Sequence, residues 1–212
     1  FVAQQPEALG GGQILVSGLT PGSATINGAR LLDSSGEQVH FWPLDYGKID
    51  PGGPAAWNVF QHGIAVLPDG SLIVNFDAGK RLARFGPCGE VIWASEGSFH
   101  HAAALADDGT LWTLRDDSLV QVDPANGAVL AEISLVEDLI ERQGLHGILA
   151  LRSEENPEDA FEFGHDPLHG NHVEALPEEM AAAFPKFEAG DLLISLRNLN
   201  LVGVVDPDSK QL

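Results

Sequence analysis

His62-Gly-Ile-Ala-Val-Leu-Pro-Asp-Gly70-Ser-Leu-Ile-Val-Asn-Phe76 and His101-Ala-Ala-Ala-Leu-Ala-Asp-Asp-Gly109-Thr-Leu-Trp-Thr-Leu-Arg115 are two copies of one pattern. In each, a histidine stands eight residues before a glycine, and an Asp-Gly turn joins two apolar runs. Asp-Gly between apolar runs is a hairpin signal, because the glycine supplies the positive φ that a tight turn needs. A second hairpin follows each copy. Arg81 to Phe85 turns at Gly86-Pro-Cys-Gly89 into Glu90 to Trp93, and Leu119 to Val122 turns at Asp123 to Gly127 into Ala128 to Ile133.

The unit is therefore four short strands over about 40 residues, the size of a propeller blade. A partial earlier copy, Ala29 to Trp42, matches the second hairpin of a blade. A later copy starts at His169, resumes at Gly190 to Arg197, and runs through Leu201 to Val205 to a turn at Asp206-Pro-Asp-Ser209. This alignment sets Arg197 beside Arg115 and Phe76. The expected fold is all-β, a β-propeller of four-stranded blades, incomplete in this chain. Residues 1–212 are read as one propeller domain of about three to four blades. A propeller closes with roughly 4 to 8 blades, so the stop at Leu212 leads to the expectation of a missing segment or a partner chain that completes the ring. Coincidental hairpins in a β-sandwich are the competing fold, disfavoured by the shared His-to-Gly spacing. Short helices are predicted at Val136 to Arg142 and within Pro177 to Pro185, and Arg152 to His165 reads as an acidic loop.

Composition narrows the function. The formal charge is -20, with 11 basic and 31 acidic residues. Residues 1–106 carry net -4 (5 basic, 9 acidic) and residues 107–212 net -16 (6 basic, 22 acidic). So acidic a chain is a poor partner for nucleic acid or anionic membrane. No apolar run reaches the roughly 18 residues of a membrane span, so no membrane insertion is expected. Phe1 to Gly12 lacks the basic start and apolar core of a signal peptide. Cys88, the single cysteine, lies in a Gly-Pro-Cys-Gly turn with no basic neighbour to activate it.

The candidate chemistry lies with histidine and arginine. His62, His101 and His169 are read as equivalent positions at the start of successive inner strands, facing one central channel. Such a ring could bind an oxyanion, pass protons or hold a metal. Arg197 follows an apolar strand and precedes Asn198 and Asn200, where its planar fork suits sulfate or phosphate oxygens. Arg115, flanked by Asp116 and Asp117, reads instead as a salt-bridged residue. His165, His169 and His172 form the densest polar cluster, but Pro167 and Gly170 prevent one helix face from presenting them. No metal and no cofactor is expected.

Asp166-Pro-Leu-His169-Gly-Asn171-His172-Val-Glu, then Gly190 to Asn198, then Val204-Val-Asp-Pro207 resemble the aryl sulfotransferase family, with its His-x-Asn motif and Ser-x-Arg strand. The stretches from Gln61 and Phe99 also resemble its His-led blades. The resemblance runs over most of the chain and implies a six-bladed propeller, of which this chain is the N-terminal part. It implies transfer of a sulfuryl group from a phenolic sulfate ester to another phenol through a covalent histidine, with no nucleotide sulfate donor. On that likeness His169 and Arg197 are catalytic and Asn171 and Asn198 bind substrate. A further family histidine corresponds to either His62 or His101. The histidine that becomes sulfated lies in a blade after the arginine strand, beyond Leu212. The resemblance also implies aryl sulfate and phenol as partners, and a periplasmic or otherwise exported location. Two other functions remain open: a non-catalytic propeller that binds or assembles into a larger complex, and a metal-dependent hydrolase or lyase using the histidines.

Overall fold

The chain is seen in a computed structural model that describes residues 10–145 and 168–212. Its strands form four antiparallel sheets. The first holds β1 (Ile14–Leu19), β2 (Asn27–Leu32) and β3 (Gln38–Leu44); the second β4 (Gln61–Val66), β5 (Leu72–Phe76), β6 (Arg81–Phe85) and β7 (Val91–Glu96). The third holds β8 (Phe99–Leu105), β9 (Leu111–Arg115), β10 (Ser118–Val122) and β11 (Val129–Ser134); the fourth β12 (Gly170–Ala175), β13 (Leu192–Leu196) and β14 (Leu201–Val205). In every sheet the strands lie in chain order. β4 packs beside β8, and β8 beside β12, so the first strands of successive sheets stand next to one another. This is the radial stacking of propeller blades.

The first sheet shows which part of a blade the early copy supplies. Its β2–β3 ladder slips register at Leu31/Leu32, beside the turn. The β6–β7 and β10–β11 ladders slip at the matching places, Arg84/Phe85 and Gln121/Val122. So β2 and β3 are the third and fourth strands of a blade, as the sequence indicated, and β1, which the sequence reading missed, stands where β5 and β9 stand.

β5 and β9, in the two sheets flanked on both sides, are buried on both faces, which explains their nearly unbroken apolar runs. Leu72, Val74 and Phe76 of β5 face Trp42 and Leu44 of the first sheet. Ile73 faces the other way, onto Phe99, Leu111 and Val120 of the third. β9 repeats the arrangement, with Leu111 toward the second sheet and Trp112 and Leu114 toward Val173, Ile194 and Val205. The core is thus a series of inter-blade layers. A fully buried side chain such as Phe76 contributes about 1.5–3 kcal/mol by leaving water.

The non-β pieces are short. The predicted helix at Val136 to Arg142 is a single wide turn over Leu135–Glu141. Arg142 N–H donates to the Glu137 carbonyl at 3.0 Å, a five-residue step. Ser134 Oγ caps it by accepting from Glu137 N–H. The insert after β12 holds α2 (Glu178–Ala181), with its acidic first turn. Sequence reading missed α1 (Tyr46–Ile49), one turn pinned by the buried Tyr46, whose hydroxyl donates to the Gly79 carbonyl at 2.8 Å. The acidic stretch Arg152 to His165 lies outside the described residues. No helix among the described residues is long and apolar enough to cross a membrane.

Candidate functional site

Each blade has two ends. At one end lie the turns between strands one and two and between strands three and four. At the other lie the first residues of β4, β8 and β12 and the turns after β5, β9 and β13. The candidate residues gather at this second end.

A local defect puts them there. The β4–β5 ladder slips between Gln61 and Ile64, β8–β9 between His100 and Ala103, and β12–β13 between Gly170 and His172. A bulge adds residues to one strand and re-aims side chains. Here it frees His62, His101 and Asn171 from regular alternation. The bulges also bring the strands close together. A Cβ on Gly63 would sit 2.5 Å from the Ala102 carbonyl carbon, so glycine is required for β4 to approach β8. Buried Asn75 ties the two blades: its Oδ1 accepts from Gly63 N–H at 2.9 Å, and its Nδ2 donates to the Ala102 carbonyl at 3.1 Å.

The three histidines of the sequence reading converge. The rings of His62 and His101 are 4.8 Å apart between centroids, and those of His101 and His169 are 4.9 Å apart. Their registers correct the sequence alignment, however. Ile64, Ala103 and Val173 pair with Val74, Thr113 and Ile194 of the second strands. Two residues before them stand His62, His101 and Asn171. His169 lies two residues further upstream, before β12, and joins the cluster from a left-handed backbone at φ +49. His169 thus enters from just before β12 rather than from within the strand.

Arg197 also moves by one place. β5, β9 and β13 each run five residues and end at Phe76, Arg115 and Leu196. Arg197 therefore matches Asp77 and Asp116, not Phe76 and Arg115. It opens a 3-10 turn over Arg197–Leu199, and its N–H donates to the His169 carbonyl at 3.0 Å. Asn198 N–H donates to the Leu168 carbonyl at 3.1 Å. Arg197 is exposed, and its guanidinium forms no ion pair or hydrogen bond among the described residues. Arg81, Arg84, Arg115 and Arg142 all have acidic partners. Arg115, at 2.7 Å from Glu132, is the salt-bridged residue its flanking acids suggested.

Two contributors were missed in the sequence. Asp77 Oδ2 lies 3.3 Å from His62 Nδ1. His100 Nδ1 lies 2.9 Å from His101 Nδ1, while His100 Nε2 lies 2.9 Å from the Asp116 carbonyl. A carbonyl only accepts, so neutral His100 carries its proton on Nε2 and accepts at Nδ1. His101 must then donate from Nδ1, which leaves its Nε2 lone pair bare. Burial, then the neighbouring His100, His62 and His169, push the His101 pKa down from 6.5 to about 4. His101 is therefore a neutral base at neutral pH, held in one tautomer. The double His100-His101 was the available signal, and it is the bulge between His100 and Ala103 that brings the two successive rings into contact. Of the sequence-level metal trio, His165 lies outside the described residues, and His172 is exposed beside Glu174 at 3.2 Å.

The sequence model of the arylsulfotransferase (ASST) family matches residues 63–212. No curated protein matches the chain. Among solved structures, a streptogramin B lyase is 14% identical with a TM-score of 0.49, covering 85% of this chain and 45% of its own. BamB from Moraxella catarrhalis is 12% identical with a TM-score of 0.44, covering 92% and 44%. Virginiamycin B lyase from Staphylococcus aureus is 14% identical with a TM-score of 0.42, covering 70% and 38%. The chain thus spans less than half the length of each of these structures. The ASST match takes in His101, His169, Asn171, Arg197 and Asn198 together with the sheets that hold them, and on that match the chain belongs to the arylsulfotransferase family.

Proposed function

We propose that the histidine end of the blades is the sulfuryl-binding part of an aryl sulfotransferase, acting on a phenolic sulfate ester as donor and a phenol as acceptor. The observation that carries this reading is the row His62, His101, His169 beside Arg197, an arginine with no acidic partner among the described residues of a chain of net charge -20. An arginine held away from so many acids fits an anion that arrives from outside.

Sulfuryl transfer, like phosphoryl transfer, depends mainly on positioning and on stabilising the equatorial oxygens. In this reading Arg197 and His169 hold those oxygens, with Asn171 and Asn198 adding amide donors. The sulfur–oxygen bond to the donor phenol breaks as a bond from sulfur to a histidine nitrogen forms. The departing phenolate takes a proton, and the acceptor phenol later gives one up. His101, neutral with its Nε2 bare, suits the second task, and His62, backed by Asp77, suits the first. Phe60, exposed and stacked on His62 with centroids 6.2 Å apart, offers an apolar face for the aryl ring. This reading takes residues 1–212 as the N-terminal part of a six-bladed ring and the sulfated histidine as a residue of a blade after the Arg197 strand. It also favours an exported location.

The test is transfer of sulfate from an aryl sulfate ester to a phenol by the full-length native protein, followed by release of the donor phenol. Turnover without any nucleotide sulfate is the expected result. Stable binding of aryl sulfate with no turnover would replace this reading with that of a binding module.

A further inference from the structure

We propose that His62, Asp77 and His101 form a binding site for one divalent transition ion of the zinc class at the mouth of the histidine cluster. One donor atom from each residue lies within 4.8 Å of the other two. An ion that holds its ligands at about 2.0–2.1 Å in a tetrahedron separates them by roughly 3.3 Å. The His62 Nδ1 to Asp77 Oδ2 distance of 3.3 Å already matches one such edge. Closing the His101 arm needs up to about 1.5 Å of side-chain movement, from at most 4.8 Å to that edge.

The donor set agrees with the geometry. Two imidazoles and one carboxylate suit a borderline ion rather than calcium or magnesium, which prefer all-oxygen shells. Three protein ligands leave the fourth position open, as in zinc sites that bind an exogenous ligand. A ligating imidazole usually donates its other N–H to an outer partner that fixes its direction. His101 does so through Nδ1 to His100, which is anchored in turn on the Asp116 carbonyl. The backbone agrees too: His101 sits in the left-handed region at φ +57. Such strain costs a non-glycine residue about 1 kcal/mol or more and concentrates at functional positions. The Asp77 carboxylate faces His62 and no arginine or lysine among the described residues.

This site does not rest on the sulfuryl-transfer reading. The two meet at His62 and His101, whose lone pairs an ion would occupy, so Zn²⁺ is expected to inhibit any transfer that uses them as bases. The experiment strips the full-length protein with a chelator, then titrates it with Zn²⁺ by calorimetry and with Co²⁺ by visible absorption. One ion per chain with a tetrahedral Co²⁺ spectrum is expected. Asp77→Asn should weaken binding by more than about 100-fold, and His101→Asn, which tolerates the left-handed backbone, by a similar factor. His100→Ala removes only the outer partner and should cost about 10- to 100-fold. His172→Ala, outside the cluster, should change nothing. Absence of binding, or binding untouched by both Asp77→Asn and His101→Asn in folded protein, overturns the proposal. Metal binding without sulfate transfer leaves this site standing and removes the sulfuryl reading; transfer without metal binding does the reverse.

Discussion

The two ends of the blades solve the same problem differently. At the turn end, where strands one and two and strands three and four connect, the left-handed positions are glycines in the first three sheets, Gly36, Gly70, Gly89, Gly109 and Gly127 all having φ near +80, and Lys210 at φ +56 stands in the turn after β14. Aspartates brace these turns, as Asp69 and Asp108 do by accepting from the N–H groups of Ser71 and Thr110. At the histidine end the left-handed positions are Lys80, His101, Asp116, His169 and Asn200, each with a side chain. Lys80, Asp116 and Asn200 lie in tight turns between strands two and three. His101 and His169 lie at the starts of β8 and β12, where no turn demands that conformation. One end is built at low cost from turn chemistry. The other keeps strained imidazoles, and strain that persists is a pointer to function.

The contrast is open to attack from both sides. The largest effect is expected at the histidine end. Arg197→Lys keeps the charge and loses the planar fork, and should lower the rate of sulfate transfer by roughly 10- to 1,000-fold. His169→Asn, which accepts the left-handed backbone, should lose as much or more. Melting temperature should barely move in either variant, and an activity loss explained by unfolding would erase the contrast.

Next comes the tie between blades. Asn75→Ala leaves the Gly63 N–H without its side-chain acceptor and the Ala102 carbonyl with Thr113 alone. A buried group left unpaired costs about 1–3 kcal/mol. Denaturant unfolding should show that loss, together with reduced activity, because the bulges that aim His62 and His101 lie on either side of Asn75.

The turn end should behave in the opposite way. Gly109→Ala puts a Cβ on a left-handed residue, and should destabilise by about 1–2 kcal/mol with activity per folded molecule unchanged. Space is not the issue, since no atom lies within 4 Å of the added carbon. The smallest effect is expected for Arg115→Ala. Its pair with Glu132 is partly solvated, and removal should cost less than about 1 kcal/mol and no activity.

The same contrast explains what could be read from the chain. The Asp-Gly turns and apolar runs are local signals, so the hairpins, their order and the blade repeat were legible. β1 was missed because Ile14 to Leu19 carries a serine and a glycine and no acidic-Gly turn after it. α1 was missed because its stability comes from Tyr46 buried against Gly79, a contact across 33 residues. At the site, the identity of the three clustered histidines was legible and their register was not. Bulges shift a strand by one residue without a strong sequence mark, so Asn171 was not recognised as the register partner of His62 and His101. Asp77 was invisible for the same reason: its role appears only when the residue after β5 is seen to face the first residues of β4.

The most direct test of the account needs no turnover. Imidazole nitrogen resonances of the folded protein can be followed by NMR as an aryl sulfate, or sulfate ion itself, is added. The account predicts perturbation of His62, His101 and His169, with reduced response in Arg197→Lys, while His40, bonded to the Pro87 carbonyl, and exposed His172 stay still. Shifts of equal size at His40 and His172, or none at the three clustered rings, would contradict it.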